Sequence, residues 1–199
     1  MAKLSSVLAQ ATPVVAARGE GALVFDEALT SSLPFNRAIP RTEPGSYFFT
    51  RGGSLGVGFP GAVGAQMANP DKLVVGLCGD GGTMYTLQVL WTAKKYRTRT
   101  LFVVCNNRRY KLLDLNIEQY WKEQGIEPHP FPASFDLSEP GLGFIEMAEG
   151  MGVPAIRIDR ADQIPAALDR ALAEDGPFLI DLLLPEPTDD HRPGHRHGQ

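Results

Sequence analysis

A chain of 199 residues with 43% hydrophobic side chains is long enough to bury one sizeable core, and its length argues for one domain. Its 19 basic residues stand against 23 acidic ones, net −4 with no basic block, which argues against a nucleic-acid or anionic-membrane partner. Two cysteines make no disulfide framework and fit a reducing cytosol, and no stretch approaches the length of a membrane span.

Residues 1–21 read as a leader. Ser5, Ser6, Gln10, Thr12 and Pro13 break the apolar core an export signal needs, so a surface helix interrupted at Pro13 is expected. Ala22–Asp26 reads as the first strand, followed at its carboxyl end by Thr30, Ser31 and Ser32. Pro40 to Pro44 reads as a loop and Ser46–Thr50 as a short strand. Glycines then recur at Gly52, Gly53, Gly56, Gly58, Gly61 and Gly64, yet Gly56 to Met67 has a helical pattern. Small residues let such a helix pack closely, at a cost in propensity.

Lys72–Cys78 and Thr100–Cys105 are apolar runs of the kind buried parallel strands need, with a helix predicted between them over Met84–Tyr96. If the two strands are neighbours, the thiols of Cys78 and Cys105 are expected close together, as buried small hydrophobes rather than redox groups. Tyr110–Gln124 reads as a helix. The connection over 128–141, with Pro128, Pro130, Pro132 and Pro140, is an active-site flap, an interface loop or an ordered surface loop. Phe144–Met151 (helix), Val153–Asp159 (strand), Gln163–Ala173 (amphipathic helix) and Phe178–Leu184 (strand) complete the pattern. Residues 186–199, with His191, His195 and His197, read as a mobile tail. Strand and helix alternate throughout, which predicts an α/β fold: a doubly wound, mostly parallel sheet with helices on both faces.

The chemistry concentrates at two strand ends. Gly79-Asp80-Gly81-Gly82 ends one apolar run and Asn106-Asn107 ends the other, and open parallel sheets bind ligands outside that edge. Asp80 offers a charged oxygen and Asn107 a neutral one to a hard cation such as Mg²⁺, and a backbone carbonyl can add a third. Gly81 and Gly82 leave bare backbone where a diphosphate can approach N–H groups.

This GDGG…NN pattern resembles the diphosphate- and magnesium-binding motif of thiamine diphosphate (ThDP)-dependent enzymes. Gly45-Ser46-Tyr47-Phe48-Phe49 through Tyr110 is similar to the benzoylformate decarboxylase and acetolactate synthase-like group, and the resemblance runs from about Ala22 to Pro185. It implies a ThDP-binding domain over 22–185. As Mg²⁺ ligands it implies Asp80, Asn107 and the main-chain carbonyl of Arg109. Gly79, Gly81, Gly82 and Thr83 fall where relatives hold the diphosphate, with Thr30 and Ser31 reaching it from the first strand; many relatives have Ser at the Gly82 position. Gly53 corresponds to the glycine whose carbonyl accepts from the aminopyrimidine. Leu55 corresponds to the apolar wedge that keeps the cofactor bent. Tyr110 joins the cofactor-contacting set.

The implied activity is that of a lyase or transferase: decarboxylation of a 2-oxo acid, with release of an aldehyde or carboligation to a second carbonyl. Family members carry a further domain whose glutamate activates the cofactor. Glu20, Glu27, Glu118 and Glu123 lie in no matching context, so no catalytic residue is assigned in this chain and Glu27 is read as structural. The expectation is therefore the diphosphate-binding subunit of a split, cytoplasmic enzyme. It would act with a pyrimidine-binding partner chain or domain in a hetero-oligomer of the heterodimer-of-dimers type, a choice the starting Met and leader favour over an excised domain. A non-catalytic ThDP-binding module is the alternative; a nucleotide-binding protein is weaker, since no Walker-type motif or GxGxxG follows a strand. Arg108, Arg109 and Lys111 offer positive charge for an anionic substrate group, or simply a solvated helix start.

Overall fold

A computed structural model describes residues 22–38 and 44–185. The leader helix, the 186–199 tail and all but the end of the Pro40–Pro44 loop lie outside the described residues.

Six strands form one sheet: β1 (Leu23–Glu27), β2 (Tyr47–Phe49), β3 (Val74–Gly79), β4 (Thr100–Asn106), β5 (Ala155–Ile158) and β6 (Phe178–Leu183). Their order is β2-β1-β3-β4-β6-β5 and every neighbouring pair is parallel. The helices are α1 (Ser32–Ala38), α2 (Gly58–Ala68), α3 (Asp80–Thr83), α4 (Val89–Lys95), α5 (Lys111–Gln124), α6 (Phe144–Gly150) and α7 (Ile164–Ala173).

Two apolar layers sandwich the sheet, which is why β3, β4 and β6 read as continuous hydrophobic runs. One layer joins Leu77, Leu101, Cys105 and Ile180 to Phe35 of α1 and Leu168 of α7. The other joins Cys78, Phe102, Val104 and Leu179 to Phe59 of α2, Leu90 of α4 and Phe144 of α6. Right-handed crossovers explain the division, because a connection that runs back along the sheet must put its helix on the opposite face. The direction reverses between β1 and β3, which are neighbours joined to β2 and β4 on either side. Such a reversal opens a crevice at the carboxyl edge. The doubly wound sheet is the fold the alternating pattern predicts.

Local departures have physical causes. The helix expected over Met84–Tyr96 begins at Asp80 itself, as the single turn α3. It gives way to turns over 84–88 and resumes at Val89. The two thiols do not meet on one face. The register pairs Cys78 with Val104 and Gly79 with Cys105, so alternation sends Cys78 and Cys105 to opposite apolar layers. Helix α1 has no counterpart in the sequence reading; it carries Pro34 in its first turn, where a missing N–H costs nothing. Helix α5 ends at Gly125, whose φ of 64° takes the left-handed C-cap conformation. Among the described residues no helix is long and apolar enough to cross a membrane.

Candidate functional site

Neighbouring strands β3 and β4 end together, so the residues after them leave the sheet side by side. Gly79 is extended and α3 starts at the next residue, which turns the Asp80 side chain inward where it is only 3% exposed. Its Oδ1 accepts the Gly81 N–H at 2.8 Å. Its Oδ2 is buried and has no hydrogen-bond partner. Burial holds the Asp80 carboxyl above its ordinary range, while the N–H groups of Gly81, Arg108, Arg109 and Asn107 pull it back down. A buried carboxylate oxygen without a hydrogen-bond partner is a polar group that calls for a ligand, and the loop 107–109 that packs over Asp80 carries the Asn107 carboxamide and the Arg109 carbonyl.

The paired asparagines divide the work. Asn106 is buried; its Nδ2 donates to Asp181 Oδ1 at 3.0 Å, and Asp181 Oδ2 accepts from Arg157 Nε at 2.8 Å. Asn106 thus ties β4 to β6 and, through Arg157, to β5. Asn107 is half-buried, and its Oδ1 accepts the Arg109 N–H at 2.9 Å. That Asx turn, with Arg108 at φ 59°, curls the chain so that residues 107–109 fold over the Asp80 side of the edge. The Arg109 carbonyl accepts the Lys111 N–H at 2.8 Å.

The Pro-rich connection is held against this loop by main-chain bonds. Tyr110 N–H donates to the Phe135 carbonyl and Leu137 N–H to the Arg108 carbonyl, each at 2.9 Å. Side chains add a second hold. Arg109 Nε donates to the buried Asp114, and its guanidinium lies 5.2 Å from the Phe131 ring. Phe131 in turn stacks on Trp121 of α5 with centroids 5.5 Å apart. Asp114 also faces Lys111 Nζ at 3.5 Å, so Arg109 and Lys111 answer an internal acid rather than present open charge to solvent.

Packing forbids a side chain at Gly81 and crowds Gly82, whereas a Cβ on Gly79 would meet nothing within 4 Å. A Cβ on Gly81 would lie 2.2 Å from Tyr110 Cε1, and one on Gly82 3.0 Å from Glu27 Oε1. Thr83 is fully buried and its hydroxyl donates to the Gly79 carbonyl at 2.9 Å, so it braces α3 from below. Ser31 is buried beside Cys105, in the 3₁₀ turn Leu29–Ser31, and Thr30 is half-buried. Gly53, at φ 69°, and Leu55, 37% exposed, sit on a separate rim loop. The structure thus gathers Asp80, Gly81, Gly82, Asn107, Arg109 and Tyr110 at one edge, places Thr83 and Ser31 beneath it, and sets Gly53 and Leu55 across from it.

Glu27 has the structural role the sequence suggests, and its partners are what the sequence does not name. It is fully buried and accepts the N–H groups of Gly56, Val57 and Gly58 at 2.6, 2.7 and 2.6 Å. Two acids ending an apolar strand, ahead of a glycine-rich helix start, are the sequence signal that could have found it. Both thiols are pushed well above their usual range, chiefly by burial, with Glu27 adding to the effect at Cys78 and Asp26 and Asp80 at Cys105. They are inert in this setting. A hollow of about 630 Å³, lined by Phe48, Phe49, Ser54, Gly56, Val57 and Pro60, opens between the β2 edge and the loop that Glu27 holds.

Fold and site together define a parallel α/β domain that presents an acid, a carboxamide and a bare glycine turn at a switch-point edge. The family model for the thiamine pyrophosphate enzyme C-terminal TPP binding domain matches residues 30–182. The chain belongs to that family. It is 37% identical to benzoylformate decarboxylase of Pseudomonas aeruginosa, over 81% of this chain and 29% of the relative. It is 31% identical to the acetolactate synthase isozyme 2 large subunit of Escherichia coli, over 74% of this chain and 26% of the relative. Among solved structures, the Rhodococcus jostii ThDP-dependent 4-hydroxybenzoylformate decarboxylase superposes with a TM-score of 0.76 at 33% identity, covering 90% of this chain and 33% of that one. The chain spans less than a third of the curated relatives described here.

Proposed function

We propose that residues 22–185 form the diphosphate- and Mg²⁺-binding domain of a ThDP-dependent 2-oxo acid decarboxylase or carboligase. The observation that carries this reading is the bare, buried Asp80 Oδ2 beside Asn107 on the adjacent strand tip. The donor set suits Mg²⁺, which takes few protein oxygens and completes its shell with phosphate and water. Asp80, Asn107 and the Arg109 carbonyl would hold the cation. Gly79, Gly81 and Gly82 would offer backbone N–H groups to the diphosphate, with Thr30, Ser31 and Thr83 packed behind them, and Gly53, Leu55 and Tyr110 would border the remainder of the cofactor. Bound ThDP supplies the nucleophilic carbon and the electron sink that loss of carbon dioxide from a 2-oxo acid requires.

What this chain contributes is binding and orientation, not proton transfer. Glu27 is committed to three backbone N–H groups, and Glu118 and Glu123 are exposed on α5. On the family resemblance, the activating carboxylate would come from a pyrimidine-binding partner chain or domain, in a cytoplasmic hetero-oligomer.

Calorimetry of the full chain with ThDP plus Mg²⁺, against ATP and NAD, tests the cofactor assignment: ThDP alone should titrate, and binding of ATP instead would sink it. Decarboxylation of aromatic, aliphatic and anionic 2-oxo acids, with the partner added, then tests the reaction. ThDP binding without turnover of any of these would favour the non-catalytic module.

The two asparagines should separate cleanly in the same assay. Asn107→Ala is expected to weaken Mg²⁺-dependent ThDP binding about ten-fold or more while barely moving the melting temperature. Asn106→Ala leaves the buried Asp181 carboxylate short of a donor and should cost about 1–3 kcal/mol of stability, read by urea denaturation. Equal effects of both substitutions on both readouts would contradict this division.

A further inference from the structure

Glu27 ends β1 opposite Cys78 of β3, fully buried. Its Oε1 accepts from Gly56 N–H, and its Oε2 from Val57 and Gly58 N–H. Helix α2 has no side-chain cap of its own, and an ordinary cap comes from the residue next to the helix. Here the acceptor arrives from the end of β1, 29 to 31 residues earlier in the chain, with carboxylate charge facing the positive end of the helix. Its grip extends past the helix into the loop, because Gly56, at φ 83°, precedes α2.

The same side chain also touches the diphosphate turn. A Cβ on Gly82 would lie 3.0 Å from Oε1, and one on Gly58 3.0 Å from Glu27 Cβ. The loop and the turn meet directly as well, since a Cβ on Gly56 would come 3.0 Å from Tyr85 Cβ. One carboxylate therefore stands between the loop that carries Gly53 and Leu55 and the turn that begins at Asp80.

We propose that Glu27 is a positioning residue that fixes the Leu55 loop relative to the Asp80–Gly82 turn, so that a two-ended cofactor finds both ends of its site already spaced. This rests on the ThDP reading above. Holding both halves before the ligand arrives converts ordering cost into affinity, and only a ligand that spans both halves benefits.

Glu27→Gln in the full chain tests this. The amide keeps the shape but replaces one acceptor oxygen with an NH₂ group that opposes the backbone N–H it meets. Two readouts are needed. In the cofactor-free protein, hydrogen exchange at Gly56, Val57 and Gly58 should accelerate about ten-fold or more. With Mg²⁺ present, ThDP affinity should fall about ten-fold while affinity for inorganic pyrophosphate, which reaches only the turn, stays within about two-fold. Glu27→Asp, which keeps both oxygens on a shorter stem, should fall between wild type and Glu27→Gln, and serves if the amide variant does not fold. Unchanged exchange, or parallel loss of ThDP and pyrophosphate, would overturn the proposal. Wild-type protein that binds no ThDP would overturn the ThDP reading and this inference with it, a result distinct from wild-type binding that both variants preserve.

Discussion

Asp80→Asn is expected to abolish Mg²⁺-dependent ThDP binding, by about a hundred-fold or more, and yet to leave the cofactor-free chain at least as stable as wild type. Both effects come from one feature, the buried oxygen with nothing to bond. Among Asp80, Asn107 and the Arg109 carbonyl it is the charged ligand a cation would meet; for the cation-free protein it is a desolvated charge.

The sign of the pH dependence follows. Burial raises the Asp80 carboxyl above its ordinary 3.8 in the folded chain, so the folded state holds this proton more tightly than the unfolded one. Its contribution to stability is therefore most favourable near and below 3.8 and declines as pH rises through the folded value. Melting curves of wild type and Asp80→Asn, without cation, should diverge in the variant's favour as pH rises over that window. Added Mg²⁺ and ThDP should raise the wild-type melting temperature at neutral pH and leave the variant's unchanged. A variant that still binds, or that is less stable than wild type at every pH, would contradict the assignment of Asp80.

Gly81→Ala is the second substitution with a large expected effect. The added methyl would sit 2.2 Å from Tyr110 Cε1 and 2.7 Å from Cδ1, so the ring must leave its seat over the turn. Overpacking of this kind costs about 1–3 kcal/mol. Tyr110 N–H is bonded to the Phe135 carbonyl, so displacement of the ring also strains the loop that follows Asn107. Loss of ThDP affinity should accompany the loss of stability. Tyr110→Ala supplies the missing test. In the double variant Gly81→Ala/Tyr110→Ala the clash has no partner, and the penalty of Gly81→Ala measured in that background should shrink to a few tenths of a kcal/mol. An undiminished penalty would mean that the backbone, not the ring, dictates glycine here.

Much of this was legible in the sequence because it is local. The apolar runs before Asp80 and Asn106 announce buried strands, and the glycines after Asp80 announce a turn. What escaped depends on register and on contacts between distant segments. The thiols looked like neighbours because each lies two residues before a polar group, but the register pairs Gly79 with Cys105, and that one-residue offset sends them to opposite faces. Asn106 and Asn107 are indistinguishable as a dipeptide; only Asp181 on β6 shows which of them is structural. The sequence does not show that the Thr83 hydroxyl also bonds back to the Gly79 carbonyl, a contact that needs the helical turn starting at Asp80. Glu27 owes its place to N–H groups about thirty residues later in the chain, beyond the reach of any periodicity.

The seating of the Pro-rich connection on α5 gives the chain a built-in optical label. Its two tryptophans occupy contrasting surroundings: Trp91 is 54% exposed, whereas Trp121 is 4% exposed and lies between Phe131 and His129, with the imidazole centroid 4.3 Å away. Collisional quenchers in solution should reach the first indole and not the second. Fluorescence emission from a Trp91→Phe chain therefore reports on whether the 128–137 segment is seated, with no dye attached.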